Sequence, residues 1–345
     1  MGRIVAVTNL KGGIGKTTTV VNVGAGLALK GARVLLVDVD AQGNLAMALG
    51  IKARRTLYEV LIDGARIDQC ITVARPNLDL LPADESLLTA QPTIGARPDW
   101  PRVLEQALRP IKNQYDFIFI DCGGSLTVLN INALMAASDV LVPTTVEPFS
   151  VKGLEMLVKQ VTRVKNSTRA VRVIVPTMYD PRRKQSSDLL AELQRTYGDL
   201  VAAPIRVNVR LSEASSEGRT IYEFDPRSRG AADYAVLVEH LSLLWGFSAA
   251  EVRIQDSGLR SAPLTEHDSN GAYAAGQASS TAEPARPMAN LAAEQPVVTG
   301  AGNLLTGSCP NCGHELRRAT VAGYKVAFCD NCKYWRQELA SGTRR

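Results

Sequence analysis

Residues 11 to 18 read Lys-Gly-Gly-Ile-Gly-Lys-Thr-Thr, a spacing suited to holding a chain of phosphates. Gly12, Gly13 and Gly15, with Ile14 among them, let the backbone curl until its N–H groups converge, and the helix that follows adds a favourable dipole. Lys16 is then placed to bridge the β- and γ-phosphates of ATP, and the Thr17 hydroxyl, with Thr18 beside it, to ligate Mg2+. The carboxylates that complete such a site stand at strand ends. Asp38 and Asp40 close the run Val-Leu-Leu-Val-Asp-Val-Asp, and Asp121 closes Phe-Ile-Phe-Ile-Asp. Residues two apart on a strand share a face, so Asp38 and Asp40 are expected to look toward the phosphates together. Asp121 takes the place from which a Walker B carboxylate holds Mg2+ through water. Acids at strand ends can also serve only as caps for the next helix, but three of them beside one phosphate loop make that the poorer reading.

A second chemistry sits near the other end. Cys309-Pro-Asn-Cys312 and Cys329-Asp-Asn-Cys332 are separated by sixteen residues. Two such pairs, each offering two thiolates from a tight turn, have the spacing of a closed, structural Zn2+ site. The stretch between them has the length of a β-hairpin, and a ribbon this small has so little core that metal binding would largely fold it. His314 could substitute as a ligand, though a surface position is the simpler reading. Arg317, Arg318, Lys325, Lys333 and Arg336 make the ribbon basic, and Tyr324, Phe328, Tyr334 and Trp335 add aromatics. That composition suits a nucleic acid or a protein partner, while the aromatics equally suit a small core; both readings stay open.

The elements that must position the phosphate loop are legible as apolar runs. Strands are expected at Arg3–Val7, Arg33–Val37, Leu78–Leu81, Phe117–Ile120, Val140–Pro143 and Val171–Val175, with helices at Thr17–Lys30, Trp100–Lys112, Ser150–Lys165 and about Gly230 to Leu244. Strands apolar throughout, alternating with helices, imply a mostly parallel sheet covered on both faces, a doubly wound α/β P-loop domain over residues 1–247. Residues 248–303 lose large apolar side chains and periodicity and read as a disordered linker, about 40 Å end to end as a flexible coil. Residues 304–345 hold the ribbon. Hydrophobic residues make up 46% of the 345, enough for a full core, yet no apolar run approaches the ~20 residues of a membrane span. The net charge of +5 permits a polyanionic partner without requiring one. The start, MGRIVAVTNLKGG, lacks the plan of a signal peptide, so a cytoplasmic location is expected.

Lys11 gives the phosphate loop a second lysine at its start, the deviant form of the Walker A motif. On this, and on VDVDAQGN (37–44), IDCGGSL (120–126), INALMAASDVLVP (131–143), EPFSVKGLEML (147–157), TMYDPR (177–182), NVRLSEASSEG (208–218) and FDPRSRGAADY (224–234), the chain resembles the ParA/MinD family of ATPases. Within it the similarity is greatest to the ParA/Soj partition proteins, over about residues 1 to 245. The resemblance implies an ATP-sandwich homodimer in which Lys11 reaches the partner's phosphates, Asp40 aligns the attacking water, and Asp38 supports the metal and switch region. It implies base contacts from Met178 and Asn208. It places Arg182 and Arg210, with Arg183 beside the first, at positions used for non-specific DNA binding, and so implies a nucleoid-associated protein. It also implies a ParB-like, centromere-bound partner that stimulates slow hydrolysis. Two departures stand out. Gly123-Gly124 replace the two prolines usual after the Walker B Asp-Cys, which removes two φ restraints and predicts a looser switch. Arg206-Val207 precede Asn208 where the family often has Pro-Arg. A membrane-associated MinD-like reading would need a basic amphipathic C-terminal helix, and AADYAVLVEHLSLLW carries Asp233 and Glu239 but no lysine or arginine, so no membrane partner is expected. A metabolic ATPase on the same scaffold is the third possibility.

Overall fold

The computed structural model describes residues 2–248, 308–309, 312–321, 324–329 and 335–337. The sequence's apolar runs become β1 (Arg3–Val7), β2 (Val34–Asp38), β3 (Thr72–Arg75), β4 (Leu78–Leu81), β5 (Phe117–Asp121), β6 (Asp139–Thr145) and β7 (Val171–Thr177) of one sheet. Its order is β3-β4-β2-β5-β1-β6-β7, parallel throughout except where β3 pairs antiparallel with β4. The central strands bury both faces, which is why they carry no polar alternation.

Helices cover the sheet on both sides. In chain order they are α1 (Lys16–Leu29), α2 (Asn44–Ala48), α3 (Leu57–Leu61), α4 (Leu87–Gly95), α5 (Val103–Leu108), α6 (Val128–Ala136), α7 (Pro148–Lys165), α8 (Lys184–Tyr197), α9 (Val209–Ser216), α10 (Ile221–Phe224) and α11 (Arg229–Leu244). The period of two along each strand divides the core accordingly. Ile4, Leu35, Val37, Ile118 and Ile120 pack with Leu57, Leu87, Leu104, Leu129, Leu154 and Leu193, which lie on helices α3 to α8. Val5, Val7, Leu36, Phe117 and Phe119 pack with Val20, Leu27, Leu45, Ala214, Ile221 and Leu237, from α1, α2, α9, α10 and α11.

One expectation changes, and one strand was missed. The helix expected over Trp100–Lys112 is α5 flanked by 3-10 turns at 100–102 and 112–114, because Pro101 and Pro110 interrupt the backbone donors at both ends. β3 escaped the sequence reading: it is an edge strand, its Val73 points to solvent, and its turn runs through Asn77 at φ 60°. The helix expected from about Gly230 to Leu244 is α11. It is buried along most of its length, with Glu239 paired to Lys30 and Asp233 to Arg206, and it ends at Gly246 with φ 66°. Among the described residues, no helix is long and apolar enough to cross a membrane.

The turns after α2 and α9 meet at a tight seam. Gly50 and Gly218 both adopt φ 66°, and a β-carbon on Gly218 would stand 2.6 Å from the Gly50 Cα. The Arg75 guanidinium donates to the Leu49 and Gly218 carbonyls and closes the seam. Gly218→Ala must therefore displace backbone and adopt an unfavourable φ, and it is expected to lower stability by roughly 1–3 kcal/mol in denaturant melts.

The C-terminal strands β8 (Arg317–Val321), β9 (Tyr324–Phe328) and β10 (Trp335–Gln337) form an antiparallel sheet in the order β10-β9-β8. Of the linker expected over residues 248–303, residues 249–303 lie outside the described residues, as do Cys332, Lys333 and Tyr334.

Candidate nucleotide site

β1 delivers the chain to the phosphate loop, and α1 begins at Lys16. Gly13 and Gly15 sit at φ 69° and 87°, left-handed conformations that only glycine adopts cheaply. Neighbouring strands hold the loop in place. Asn9 donates to the Pro143 carbonyl at 2.8 Å and accepts from the Lys11 N–H, while the Thr177 hydroxyl donates to the Ile14 carbonyl at 2.8 Å. These two anchors were not read from the sequence; a buried polar residue at the end of an otherwise apolar run was the available signal.

Lys16 is buried, its ammonium donating to the Lys11 carbonyl at 3.0 Å, and burial lowers its pKa against the opposing pull of Asp121. Thr17 donates to Asp121 Oδ2 at 2.6 Å. The other oxygen, Oδ1, is buried without a hydrogen-bond partner, a costly state for a carboxylate. Burial pushes Asp121 up to about 7, although the Thr17 hydroxyl and then Lys16 favour its charged form. A hydroxyl and an orphaned carboxylate oxygen beside a phosphate loop are the donors that Mg2+ accepts. The residues therefore fit the ion.

The acids after β2 divide their tasks in a way the strand periodicity did not anticipate. Asp38 ends β2 opposite Asp121 and is fully buried. It accepts from the N–H groups of Asp40 at 2.9 Å and Leu45 at 3.0 Å, and burial followed by the nearby Asp121 charge raises its pKa. Asp40 lies past the strand, in a turn closed by Gly43 N–H to Asp40 carbonyl. So Asp38 braces the turn and the start of α2, while Asp40, whose Oδ1 accepts from Gln42 N–H, lies beside Gly123.

Lys11 lies at the rim. Its ammonium donates to Glu147 at 2.7 Å and Ser150 at 3.2 Å, both at the start of α7, and Glu147 is held below its ordinary pKa first of all by that bond. On the far side, Met178 ends β7 in a left-handed conformation, φ 53°, with half its surface exposed. Val207 N–H donates to the Tyr179 carbonyl at 3.0 Å, which brings Met178 and Asn208 onto neighbouring segments. The Asn208 side chain caps α9 by accepting from Arg210 N–H at 2.9 Å. Among the arginines, Arg206 is a structural partner of Asp233. Arg182 is exposed and paired with Asp180, Arg210 is exposed and paired with Glu213 and Asp225, and Arg183 precedes α8 near Glu147.

In the ribbon, the sulfurs of Cys309, Cys312 and Cys329 lie within 4.8 Å of one another, with Cys312 and Cys329 at 3.4 Å. Zn–S bonds of about 2.3 Å in a tetrahedron place sulfurs about 3.8 Å apart, so three of the four expected ligands are gathered near the spacing such a site needs. His314 is exposed, its ring against the Cys312 carbonyl rather than among the sulfurs.

Comparison with known proteins agrees with the fold. Residues 2–173 match a family described as an AAA domain. The chain is 41% identical over 254 residues to the sporulation initiation inhibitor protein Soj of Bacillus subtilis, covering 70% of this chain and 99% of that one. It is 38% identical over 249 residues to the chromosome partitioning protein ParA of Caulobacter vibrioides, covering 69% and 93%. Among solved structures, a cobyrinic acid a,c-diamide synthase of Mycobacterium smegmatis with bound ADP and magnesium superposes with a TM-score of 0.62 at 32% identity, covering 71% and 96%.

Proposed function

The chain belongs to the ParA/Soj family of P-loop ATPases, and on that premise we propose that it is a partition ATPase whose ATP-bound dimer coats DNA without reading sequence. The observation that carries this reading is the spare lysine. Lys16 serves the phosphates from within, whereas Lys11 stands at the rim on an exposed glutamate, where a second copy could receive it.

Hydrolysis by these residues needs little covalent chemistry. The loop N–H groups and Lys16 gather the phosphate charge, Lys16 exchanging the Lys11 carbonyl for phosphate oxygens. Thr17 and Asp121 would hold Mg2+, which would supply positive charge to offset that of the phosphates. Asp40 aligns the attacking water. Lys11 leaves Glu147, crosses to the partner's nucleotide and stabilises the charge developing there. Met178 and Asn208 flank the base. Arg182, Arg183 and Arg210 meet DNA phosphates, each exchanging an acidic neighbour or solvent for the polyanion. A ParB-like partner accelerates turnover and releases the dimer.

The stoichiometry is the test. Light scattering with ATP is expected to show a dimer, trapped by Asp40→Ala and absent with ADP or in Lys16→Ala. A monomer under every condition would contradict the reading. For the ribbon we propose a Cys309, Cys312, Cys329 and Cys332 zinc site that folds it. One equivalent of zinc is expected by elemental analysis, lost in Cys309→Ser with Cys312→Ser; an unchanged metal content in that variant would exclude the site.

A further inference from the structure

Gly123-Gly124 should leave the loop after β5 slack, yet the structure holds it by another route. Asn130, on the first turn of α6, is 1% exposed. Its amide nitrogen donates to the Gly123 carbonyl at 3.0 Å and also to the Ser125 carbonyl. Its backbone N–H is capped by the Thr127 hydroxyl at 3.2 Å. Two carbonyls facing one side-chain nitrogen fix the amide's orientation, because an oxygen there would be repelled by both. The loop so held lies against the reacting groups. A β-carbon on Gly123 would stand 3.4 Å from the Asp40 carboxylate, and one on Gly124 3.6 Å from the Gly12 backbone.

We propose that Asn130 is a positioning residue for ATP hydrolysis: its amide supplies the rigidity that the two glycines lack and keeps the loop packed on Asp40 and the phosphate loop. The neighbouring Asn132 shows the contrast. It is equally buried, but its amide nitrogen donates to the Trp100 and Val128 carbonyls and its oxygen accepts from Leu104 N–H, none of them in the 123–126 loop, whereas the Asn130 oxygen is buried without a partner. Asn130 thus bonds to the reacting end of the fold and Asn132 to its scaffold. Misplacing a water-aligning carboxylate by about 1 Å costs on the order of 100-fold in rate, so a latch on its neighbour should appear in kcat before it appears in binding.

The test compares Asn130→Ala and Asn130→Asp with Asn132→Ala, by steady-state ATP hydrolysis, binding of a fluorescent ATP analogue and thermal melting. Asn130→Asp keeps the size of the side chain but turns oxygen toward both carbonyls. Both Asn130 variants are expected to lose at least about tenfold in kcat, with nucleotide affinity kept within about threefold. Asn132→Ala should lower Tm while keeping kcat within about threefold. Amides of residues 123–126 should exchange hydrogen at least about tenfold faster in Asn130→Ala. Unchanged kcat in both Asn130 variants would overturn the proposal. So would losses of kcat, affinity and Tm that move together as in Asn132→Ala, or failure of both Asn130 variants to fold. Asp40→Ala, measured alongside, tests the assigned role of Asp40 separately.

Discussion

At pH 8 and without nucleotide, Asp121→Asn is expected to melt above the parent protein, while gaining nothing from Mg-ATP and hydrolysing it at least about 1000-fold more slowly. The two effects share one cause. Burial holds the Asp121 carboxyl at about 7 in the folded chain, against about 3.9 when unfolded. A carboxyl raised on folding binds its proton more tightly in the native state. Its contribution is therefore fully favourable below about pH 4 and is lost as pH rises through about 7. Asparagine removes that penalty at alkaline pH and keeps an oxygen to accept from Thr17. Each kcal/mol of that relief would raise Tm by roughly 2–4 °C in a domain of this size. The same substitution removes the orphaned carboxylate oxygen, and with it the charge proposed to hold the metal. In the parent, Mg-ATP must expel the Asp121 proton, so its affinity should fall as pH drops below that pKa. A variant that melts lower than the parent without nucleotide, or that keeps its Mg-ATP stabilisation, would contradict this account of the site.

Lys11→Ala carries the second large effect. Lys11 contributes little where it stands, since an exposed ion pair like that with Glu147 is worth about 0–1 kcal/mol. It is therefore readily given up. A cation delivered across an interface to a transferring phosphoryl group is worth about 10³–10⁵ in rate. Lys11→Ala should keep Mg-ATP binding to the monomer within about threefold, because Lys16 and the loop are intact. Partner-stimulated turnover should fall at least about 1000-fold, and the ATP-dependent dimer should weaken. Glu147→Gln, which removes only the resting partner, should dimerise at a lower protein concentration. Equal turnover in Lys11→Ala and the parent would show that Lys11 does not act across the interface.

How far the sequence alone reaches depends on the range of each interaction. The phosphate loop was legible because three glycines, a lysine and a threonine act within eight residues. The other six strands, five of them interior and β7 at the far edge, were legible because burial leaves an unbroken apolar run, and their observed bounds differ by no more than two residues at any end. β3 was not, because an edge strand of four residues with an arginine at its end carries no such run. The separate tasks of Asp38 and Asp40 depend on where β2 stops, which periodicity does not tell. Lys11 on Glu147 and Thr177 on Ile14 are contacts across the sheet, between residues that no local pattern pairs. The slack expected of Gly123-Gly124 was a sound inference about two residues; Asn130, six or seven positions on, answers it from a helix.

DNA binding under nucleotide and salt control tests the partition reading most directly. The measurement is binding to random-sequence duplex DNA with ATP, with ADP and without nucleotide, over a salt series, using Asp40→Ala as the ATP-trapped form and Lys16→Ala as the ATP-blind one. The account predicts binding only with ATP, independent of sequence, weakening steeply and log-linearly with salt, persistent in Asp40→Ala and lost in Lys16→Ala. Binding that is absent with ATP, or the same with and without it, would contradict the claim that nucleotide state governs where this protein sits.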